Sequence, residues 1–286
     1  MPIRPFLLIL FAATAHAIWN FLAKRFVENK QLIWFASILE SLFLIPFVIW
    51  SIAAQGFPAS SISLLFLLAT GVLHLLYTEC LLRGYRAGDF TVVYPLARGS
   101  APLLSFAGAV VFLHEHASAL AISGALLISL GIVLASGAAS SIGKVRSQTS
   151  LMWGVATGVT IACYTIVDAY AVTKLMIAPL LVEYAETSFR ALAPSGKAWK
   201  ARATLRNELS HCWFAALCIA MLFPASYIAA LSAMRLAPVS HVAPVREMSM
   251  MIGMYLGARF LQEKHVMRRL IGSALIAGGV ATLALG

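Results

Sequence analysis

The stretch GALLISLGIVL at residues 124–134 decides the fold when it is set beside GSALIAGGVAT at residues 272–282. The two segments agree in apolar character, and the glycines at 124 and 131 have the same spacing as those at 272 and 279. A glutamate precedes each segment at the same distance, Glu115 in one case and Glu263 in the other. Apolar sequence rich in glycine is common in membranes. The shared order of glutamate and glycine is less easily explained by chance, and it indicates an internal repeat.

The correspondence extends upstream of both segments. The matching pairs are Arg86 with Arg235, Pro95 with Pro244 and, after a shift of one residue, Arg98 with Arg246. A stretch of Ser, Gly, Lys and Arg near residue 145 falls close to the middle of the chain. The sequence therefore predicts a first repeat at 1–139, a linker at 140–150 and a second repeat at 151–286.

Composition points to a membrane. Of the 286 residues, 61% are hydrophobic and only 11% are charged, whereas soluble domains carry about 25% charged residues. The net charge is +10, but Lys and Arg lie mostly in short gaps between apolar runs, which favours a role in membrane topology over nucleic-acid binding. The four cysteines show no CxxC spacing, so neither a disulfide framework nor a metal site is expected.

Ten segments approach the roughly 20 apolar residues that a membrane-spanning helix needs. They are 6–24, 32–52, 62–82, 90–113, 117–137, 151–172, 175–192, 211–232, 239–260 and 266–285. The first is expected to be a retained helix and not a signal peptide. The seventh is interrupted by Glu183, Glu186 and Arg190, so it is short, tilted or packed inside the protein.

The predicted fold class is an all-α, polytopic membrane protein of about ten transmembrane helices. Each half contains five helices, and an odd number forces the halves to enter the membrane in opposite senses. The fold is therefore expected to be two inverted five-helix repeats.

Basic residues predict the orientation. The loops after helices 1, 3, 5, 7 and 9 hold most of them: Lys24, Arg25, Lys30, Arg83, Arg86, Lys144, the basic residues of 190–206, Lys264, Arg268 and Arg269. The other side offers little beyond Arg4, Lys174 and Arg235. Positive residues favour the cytoplasm, so this count predicts that both termini lie outside.

Three polar residues of the first helix, His16, Trp19 and Asn20, share one helical face. Such a face is costly against lipid and is expected to turn inward. It is either a cavity wall that hydrogen-bonds a solute or interhelical packing of polar groups. For Trp19 the packing role is favoured.

Arg98 is the sharpest single signal. It lies within helix 4, one turn after Tyr94 and Pro95. An arginine at mid-membrane is costly by roughly 2.5–3.5 kcal/mol on insertion scales and needs a partner or a wet cavity. The functional interpretation is capture of an anionic group such as a carboxylate, with Arg246 on the opposite wall. The alternatives are a structural ion pair and snorkelling of the side chain to a nearby face.

Asp168 in helix 6 is the candidate proton-coupling site, with Tyr164 one turn before it. An intramembrane carboxyl group can bind and release a proton, whereas a static pair with Arg98 or Arg246 would hold its charge permanently. His74 and Tyr77 share a face of helix 3 and could line the same cavity, although core packing is favoured for a lone pair.

The remaining polar patterns favour structural roles. Glu115 and Glu263 are expected near helix starts, where a negative charge meets the positive end of the helix dipole. The run His114-Glu115-His116 lacks the spacing of a helical metal site. Glu79 and Arg83 have the spacing of a helical ion pair. No catalytic residue, metal or cofactor is expected.

Six stretches together resemble the EamA-type permeases of the drug/metabolite transporter superfamily. They are AHAIWNFLAK (15–24), GYRAGDFTVVYPLARGSAP (84–102), FLHEHASALAISGALLISLGIVL (112–134), ATGVTIACYTIVDAY (156–170), MRLAPVSHVAPVREMSM (234–250) and LQEKHVMRRLIGSALIAGGV (261–280). The resemblance implies a secondary transporter, often an exporter, with a central cavity between two repeats. It also implies the plasma membrane, the inner membrane in a bacterium.

The expected function is therefore a permease for a small metabolite or drug-like solute that works by alternating access. Its candidate solute-binding residues are His16, Asn20, Tyr77, Tyr94, Arg98, Tyr164 and Arg246. The expected partners are a small solute, the lipid bilayer and protons, and the oligomeric state is open, a homodimer included. The chain has no GxxxxGK[ST], HExxH or GxSxG pattern. A membrane-embedded enzyme acting on a lipid-like substrate and a non-transporting scaffold are the alternatives.

Overall fold

The structure is a computed structural model that describes residues 3–29, 31–112, 118–136, 145–193, 211–236, 246, 248–262 and 266–285. Within these ranges the protein consists of ten helices and no strand. They are α1 (Ile3–Arg25), α2 (Leu32–Gln55), α3 (Ser61–Ala87), α4 (Phe90–Phe112), α5 (Ala119–Ser136), α6 (Val145–Thr173), α7 (Pro179–Leu192), α8 (Trp213–Leu236), α9 (Met248–Phe260) and α10 (Val266–Leu285).

The predicted segments coincide with these helices. Their described bounds differ most at the start of α6, which begins at Val145 and not at 151, and at the end of α3, which extends to Ala87 and not to 82. The seventh helix begins at Pro179, later than the expected Leu175. Proline favours the first turn of a helix because it has no backbone N–H to leave unsatisfied. Just before it, Met176 adopts a left-handed backbone conformation with φ of 56°. The predicted start of the ninth helix lies outside the described residues.

The exterior of the bundle is apolar. Among the described residues, five helices are long and apolar enough to cross a membrane: Ile3–Arg25, Leu32–Gln55, Ser61–Ala87, Gln148–Thr173 and Trp213–Leu236. Large apolar side chains such as Ile49, Trp50 and Leu126 are more than three-fifths exposed. A soluble monomer rarely leaves such residues exposed in large contiguous patches. The protein therefore has the surface of a membrane protein.

Helices α5 and α10 cross closely at four glycines. A methyl group on Gly124 would lie 2.7 Å from the Gly279 carbonyl oxygen, and one on Gly279 would lie 2.7 Å from that of Gly124. Gly131 and Gly272 approach each other in the same reciprocal way, at 2.6 and 2.7 Å. A side chain at any of these positions would collide with the backbone of the partner helix. Because the earlier glycine of α5 meets the later glycine of α10, the two helices run antiparallel.

The remaining packing joins helices from both halves of the chain. Helix α3 packs along α6 and α1 packs along α8, while α4 contacts α6 and α1 contacts α9. Helix α7 lies against α2, α3 and α8, and it places Glu183, Glu186 and Arg190 on its buried face. Of the three expectations for this segment, packing inside the protein therefore agrees with the structure, and α7 is also short.

Candidate functional site

A small polar cavity lies between helices of the two halves. Its lining residues are Ala12, Ala13 and His16 of α1, Arg98 of α4, Ser226, Tyr227 and Ala230 of α8, and Arg246. The free interior is about 10 Å³, near the smallest space that holds one water molecule. The small side chains of the alanines and serine leave this space open.

The two repeat-equivalent arginines meet at this cavity. Arg98 is buried, and its Nη2 donates to the backbone carbonyl oxygen of Arg246 at 3.2 Å. These arginines are the charged residues among the lining residues that the structure describes. The described part of the cavity wall therefore contributes positive charge.

His16 lies beside both arginines. Its Nδ1 accepts a hydrogen bond from Trp19 Nε1 at 3.3 Å. Its Nε2 is buried, and no described residue hydrogen-bonds to it. The imidazole stacks on Tyr94 at a centroid distance of 6.2 Å, and the Trp19 indole packs on Phe223 at 4.4 Å. His16 therefore faces the cavity, while Trp19 packs between helices.

Asn20 makes hydrogen bonds within the helix bundle. Its Oδ1 accepts a hydrogen bond from the Tyr85 hydroxyl at 2.7 Å, and its Nδ2 donates to the His16 carbonyl at 2.9 Å. Asn20 is not among the described residues that line the cavity. Its amide joins α1 to α3.

Asp168 does not line the cavity, and its described contacts include neither Arg98 nor Arg246. It lies behind Tyr227, which does line the cavity. Its Oδ2 accepts a short hydrogen bond from the Tyr227 hydroxyl and lies 2.9 Å from His74 Nε2. The Tyr227 hydroxyl also lies 3.2 Å from His74 Nε2. Since Tyr227 lines the cavity as well, it connects the cavity to the carboxyl group of Asp168.

His74 bridges two carboxyl groups. On the side opposite Asp168, its Nδ1 lies 2.5 Å from Oε2 of Glu186. Its ring stacks on Tyr164 at 4.0 Å and meets Tyr77 edge-on at 6.1 Å. Tyr77 and Tyr164 thus enclose His74, and neither belongs to the described lining of the cavity. Core packing was the favoured interpretation of His74 from the sequence, but its ring also contacts two carboxyl groups.

Beyond His74 lies a buried group that we call the acid cluster: Glu40 of α2 with Glu183, Glu186 and Arg190 of α7. All four residues are at most 3% exposed. Arg190 Nη2 donates to both oxygens of Glu40, at 2.9 and 3.1 Å, and Nη1 makes a short bond to Glu186. Its guanidinium lies 3.9 Å over the Phe223 ring.

The acid cluster was missed by the sequence interpretation. Glu40 is a single carboxyl group within an apolar helix, and an intramembrane acid is a functional signal by itself. Glu183, Glu186 and Arg190 repeat at the spacing of one helical face. That spacing predicts an inward charged face, in agreement with packing inside the protein, and Glu40 is the member that the sequence interpretation lacked.

Several basic residues that predicted the orientation bind protein groups instead of lying free in loops. Arg190 is buried, so its use as a loop charge was wrong. Lys24 Nζ donates to the carbonyls of Tyr85 and Gly88, both at 2.6 Å. Arg269 donates to Asp89 at 2.9 Å. A charge held by specific contacts is weaker evidence for topology than a solvated one.

The predicted helical ion pair is confirmed, with Arg83 Nε 2.7 Å from Glu79 Oε1 at the exposed end of α3. The predictions for His114, Glu115, His116 and Glu263 lie outside the described residues, as do Pro244 and residues 140–144 of the predicted linker. Residues 145–150 were also predicted as linker, but they form the first part of α6. Pro95 and Pro102 lie inside α4, and Pro224 lies inside α8.

Comparison with known proteins informs the fold alone. The chain matches no family model and no curated protein. Solved structures do match, 24 chains in all. One of them, described only as "Crystal structure of protein", aligns over 97% of this chain and 98% of its own with a TM-score of 0.62 and 15% identity. The helical arrangement is therefore shared with another protein over its full length.

Proposed function

We propose that this protein is a secondary transporter that moves a small anionic or zwitterionic solute across a membrane by alternating access. The observation that carries the proposal is the small cavity between the two halves, with Arg98, Arg246 and His16 in its wall. Polar side chains are costly in a membrane interior and commonly mark a solute pathway. In keeping with the EamA-type resemblance, we propose export through a bacterial inner membrane.

The packing supports ten membrane crossings in two inverted repeats. In two five-helix repeats, α1 corresponds to α6, α3 to α8 and α4 to α9. The contact between α3 and α6 then has its counterpart in that between α8 and α1, and the contact between α4 and α6 in that between α9 and α1. The repeat-equivalent residues Arg86 and Arg235 act alike: each Nε donates to a carbonyl at the end of its own half's first helix, at Val27 and Val172. The reciprocal glycine crossing of α5 and α10 has the same symmetry.

The chemistry of the cavity favours a carboxylate. A guanidinium group presents paired N–H donors that match the two oxygens of a carboxylate. The buried Nε2 of His16 adds a third nitrogen near the same space. A zwitterion such as an amino acid and a dicarboxylate both carry the group that this wall would hold.

Transport requires that the cavity widen, because its present interior holds about one water molecule. Prolines inside α4 and α8 remove backbone hydrogen bonds and permit bending next to the cavity. Rocking of the two halves would then open the cavity to one side of the membrane at a time. Asp168 would couple this motion to proton binding, since Tyr227 joins it to the cavity wall.

Solute flux into sealed liposomes that contain the purified chain tests the proposal. Radiolabelled succinate, L-alanine and choline serve as anionic, zwitterionic and cationic probes. We expect saturable flux of succinate or L-alanine without chemical change, and none of choline. Arg98→Gln should reduce the flux about tenfold to a hundredfold, because a charged hydrogen bond contributes roughly 1.5–3 kcal/mol.

Arg83→Gln is the matched control, since Arg83 lies in an exposed ion pair. The membrane-enzyme alternative predicts a chemically altered probe, and the scaffold alternative predicts neither flux nor product. Absence of saturable flux for both carboxylate probes, or equal flux in wild type and Arg98→Gln, would overturn the proposal.

A further inference from the structure

The acid cluster and His74 are buried, titratable and unused by the transport scheme above. His74 contacts Asp168 on one side and Glu186 on the other, so these residues extend from Asp168 away from the cavity towards α2 and α7. Four carboxyl groups accompany one arginine and one histidine in this network, so ionisation of all four would leave a buried excess of negative charge even with an imidazolium at His74. Such an excess is strongly unfavourable away from water.

We propose that His74 relays protons between Asp168 and Glu186, and that the pair Glu40–Glu183 stores a proton behind this relay. The proposal rests on the proposed function for its use in transport, but it concerns a separate part of the protein. It extends the proton pathway from Asp168 to a proton that is held by Glu40 of α2 and Glu183 of α7.

The geometry of His74 carries the relay. Each ring nitrogen lies within hydrogen-bonding distance of a carboxyl oxygen, at 2.9 Å for Asp168 and 2.5 Å for Glu186. An imidazolium would present a proton to both acids, whereas a neutral ring presents one proton and leaves its other nitrogen to accept from a protonated acid. A proton that arrives at Nε2 from Asp168 allows the proton on Nδ1 to leave for Glu186. One proton enters as one leaves, and the ring returns to a neutral form.

The surroundings of Glu183 carry the storage site. Glu183 is fully buried, and no described N–H or O–H donor hydrogen-bonds to either of its oxygens. Its Oε1 lies 3.8 Å from Arg190 Nη2, which donates instead to Glu40 and Thr187. Arg190 thus binds Glu40 and leaves the buried Glu183 carboxyl beside it without a donor. A buried carboxylate without a donor is costly, which favours a proton on the Glu40–Glu183 pair.

The groups that face the relay are known for each helix packed around it. Around His74 they are Asp168 and Tyr164 of α6, Glu186 of α7, Tyr227 of α8 and Tyr77 of α3 itself. Around Glu183 they are Glu40 of α2 and Glu186 and Arg190 of α7. Glu183 and Glu186 lie on the same face of α7, so a proton on Glu186 is close to the storage pair.

Infrared difference spectroscopy of the purified full-length chain in liposomes tests storage without any solute. A protonated carboxyl group has its own carbonyl stretching band, and that band shifts in D₂O. We expect wild type to show the band and both Glu183→Gln and Glu40→Gln to lose it, while Glu79→Gln retains it. ¹³C-labelled glutamate must shift the band in wild type, a test that requires no substitution. Absence of the band from wild type, its persistence in both variants, or no shift on labelling would overturn the storage site.

The rate at which this band shifts in D₂O tests the relay. In His74→Gln and Glu186→Gln the path to the cavity is cut, and we expect exchange to be about a hundredfold slower than in wild type, within the range of contributions made by general acid–base groups. Size-exclusion chromatography checks that both variants are folded. Wild-type exchange rates in both would overturn the relay. If neither succinate nor L-alanine is transported, the proposed transport function is wrong. The infrared measurements would still test the proton pathway, because they need no solute.

Discussion

The cavity and the acid cluster are both built from residues that are costly in a membrane, but they differ in what surrounds those residues. In the acid cluster, Arg190 binds Glu40 and Glu186 in a densely packed interior. At the cavity, Arg98 donates to a neutral carbonyl and lies beside alanines and an open space. The same residue type therefore binds carboxylates in one region and a backbone carbonyl beside a cavity in the other. Tyr227 joins the two regions.

The largest expected effect is loss of stability on removing the arginine of the acid cluster. Arg190→Met leaves Glu40 and Glu186 buried without their cation. Breaking a buried ion pair by removing one partner is destabilising by about 3–5 kcal/mol. Thermal and denaturant unfolding of the purified chain in detergent measure this effect.

Arg98→Gln is the matched variant at the cavity. Glutamine keeps two N–H donors that can reach the Arg246 carbonyl, so we expect its unfolding midpoint to lie closer to wild type than that of Arg190→Met. Equal destabilisation by the two substitutions would remove the distinction between a structural and a ligand-binding arginine.

The second effect concerns the link between the regions. Tyr227→Phe removes the hydroxyl that donates to Asp168, and a hydrogen bond to a charged group contributes about 1.5–3 kcal/mol. We expect reduced stability and loss of acceleration by a pH gradient, with solute exchange retained. Tyr170→Phe, at an exposed tyrosine of α6, is the control. Normal pH-gradient acceleration in Tyr227→Phe would show that the two regions work independently.

A smaller effect tests whether Asn20 belongs to the cavity. Tyr85→Phe removes the hydroxyl that donates to Asn20 Oδ1, and we expect a loss of about 0.5–1.5 kcal/mol in the free energy of unfolding. Flux should stay at the wild-type level, because this bond joins α1 to α3 away from the cavity. Flux reduced as strongly as in Arg98→Gln would place Asn20 in the solute path.

The smallest effect is expected at the exposed ion pair of α3. Glu79→Gln should change the free energy of unfolding by less than about 1 kcal/mol, because exposed ion pairs are screened by water. The same unfolding experiments measure it. A loss as large as that of Arg190→Met would show that burial does not explain the difference between the two arginine pairs.

The helices were predictable because a long apolar run has few structural options in a membrane. Segments such as 266–285 agree with the structure at both ends. The glycines at 124, 131, 272 and 279 were correctly singled out, and the structure adds why they matter: their backbones touch.

The partners of the polar residues were not predictable, because they depend on how distant helices are rotated against each other. Asp168 and His74 are far apart in the sequence, and nothing in their spacing shows that Oδ2 faces Nε2. The pairing of Asp168 with an arginine was therefore one open alternative that the structure does not show. Glu40 was overlooked because a single acid in an apolar run leaves the hydropathy signal of its helix intact.

The most direct test of the account is the effect of a pH gradient on succinate and L-alanine flux in liposomes that contain wild type or Asp168→Asn. The variant removes the carboxyl group that Tyr227 joins to the cavity. We predict that a pH gradient accelerates flux in wild type, and that the variant still exchanges solute but is not accelerated. Equal acceleration in the two proteins would contradict the central claim that the cavity and its proton site form one coupled path.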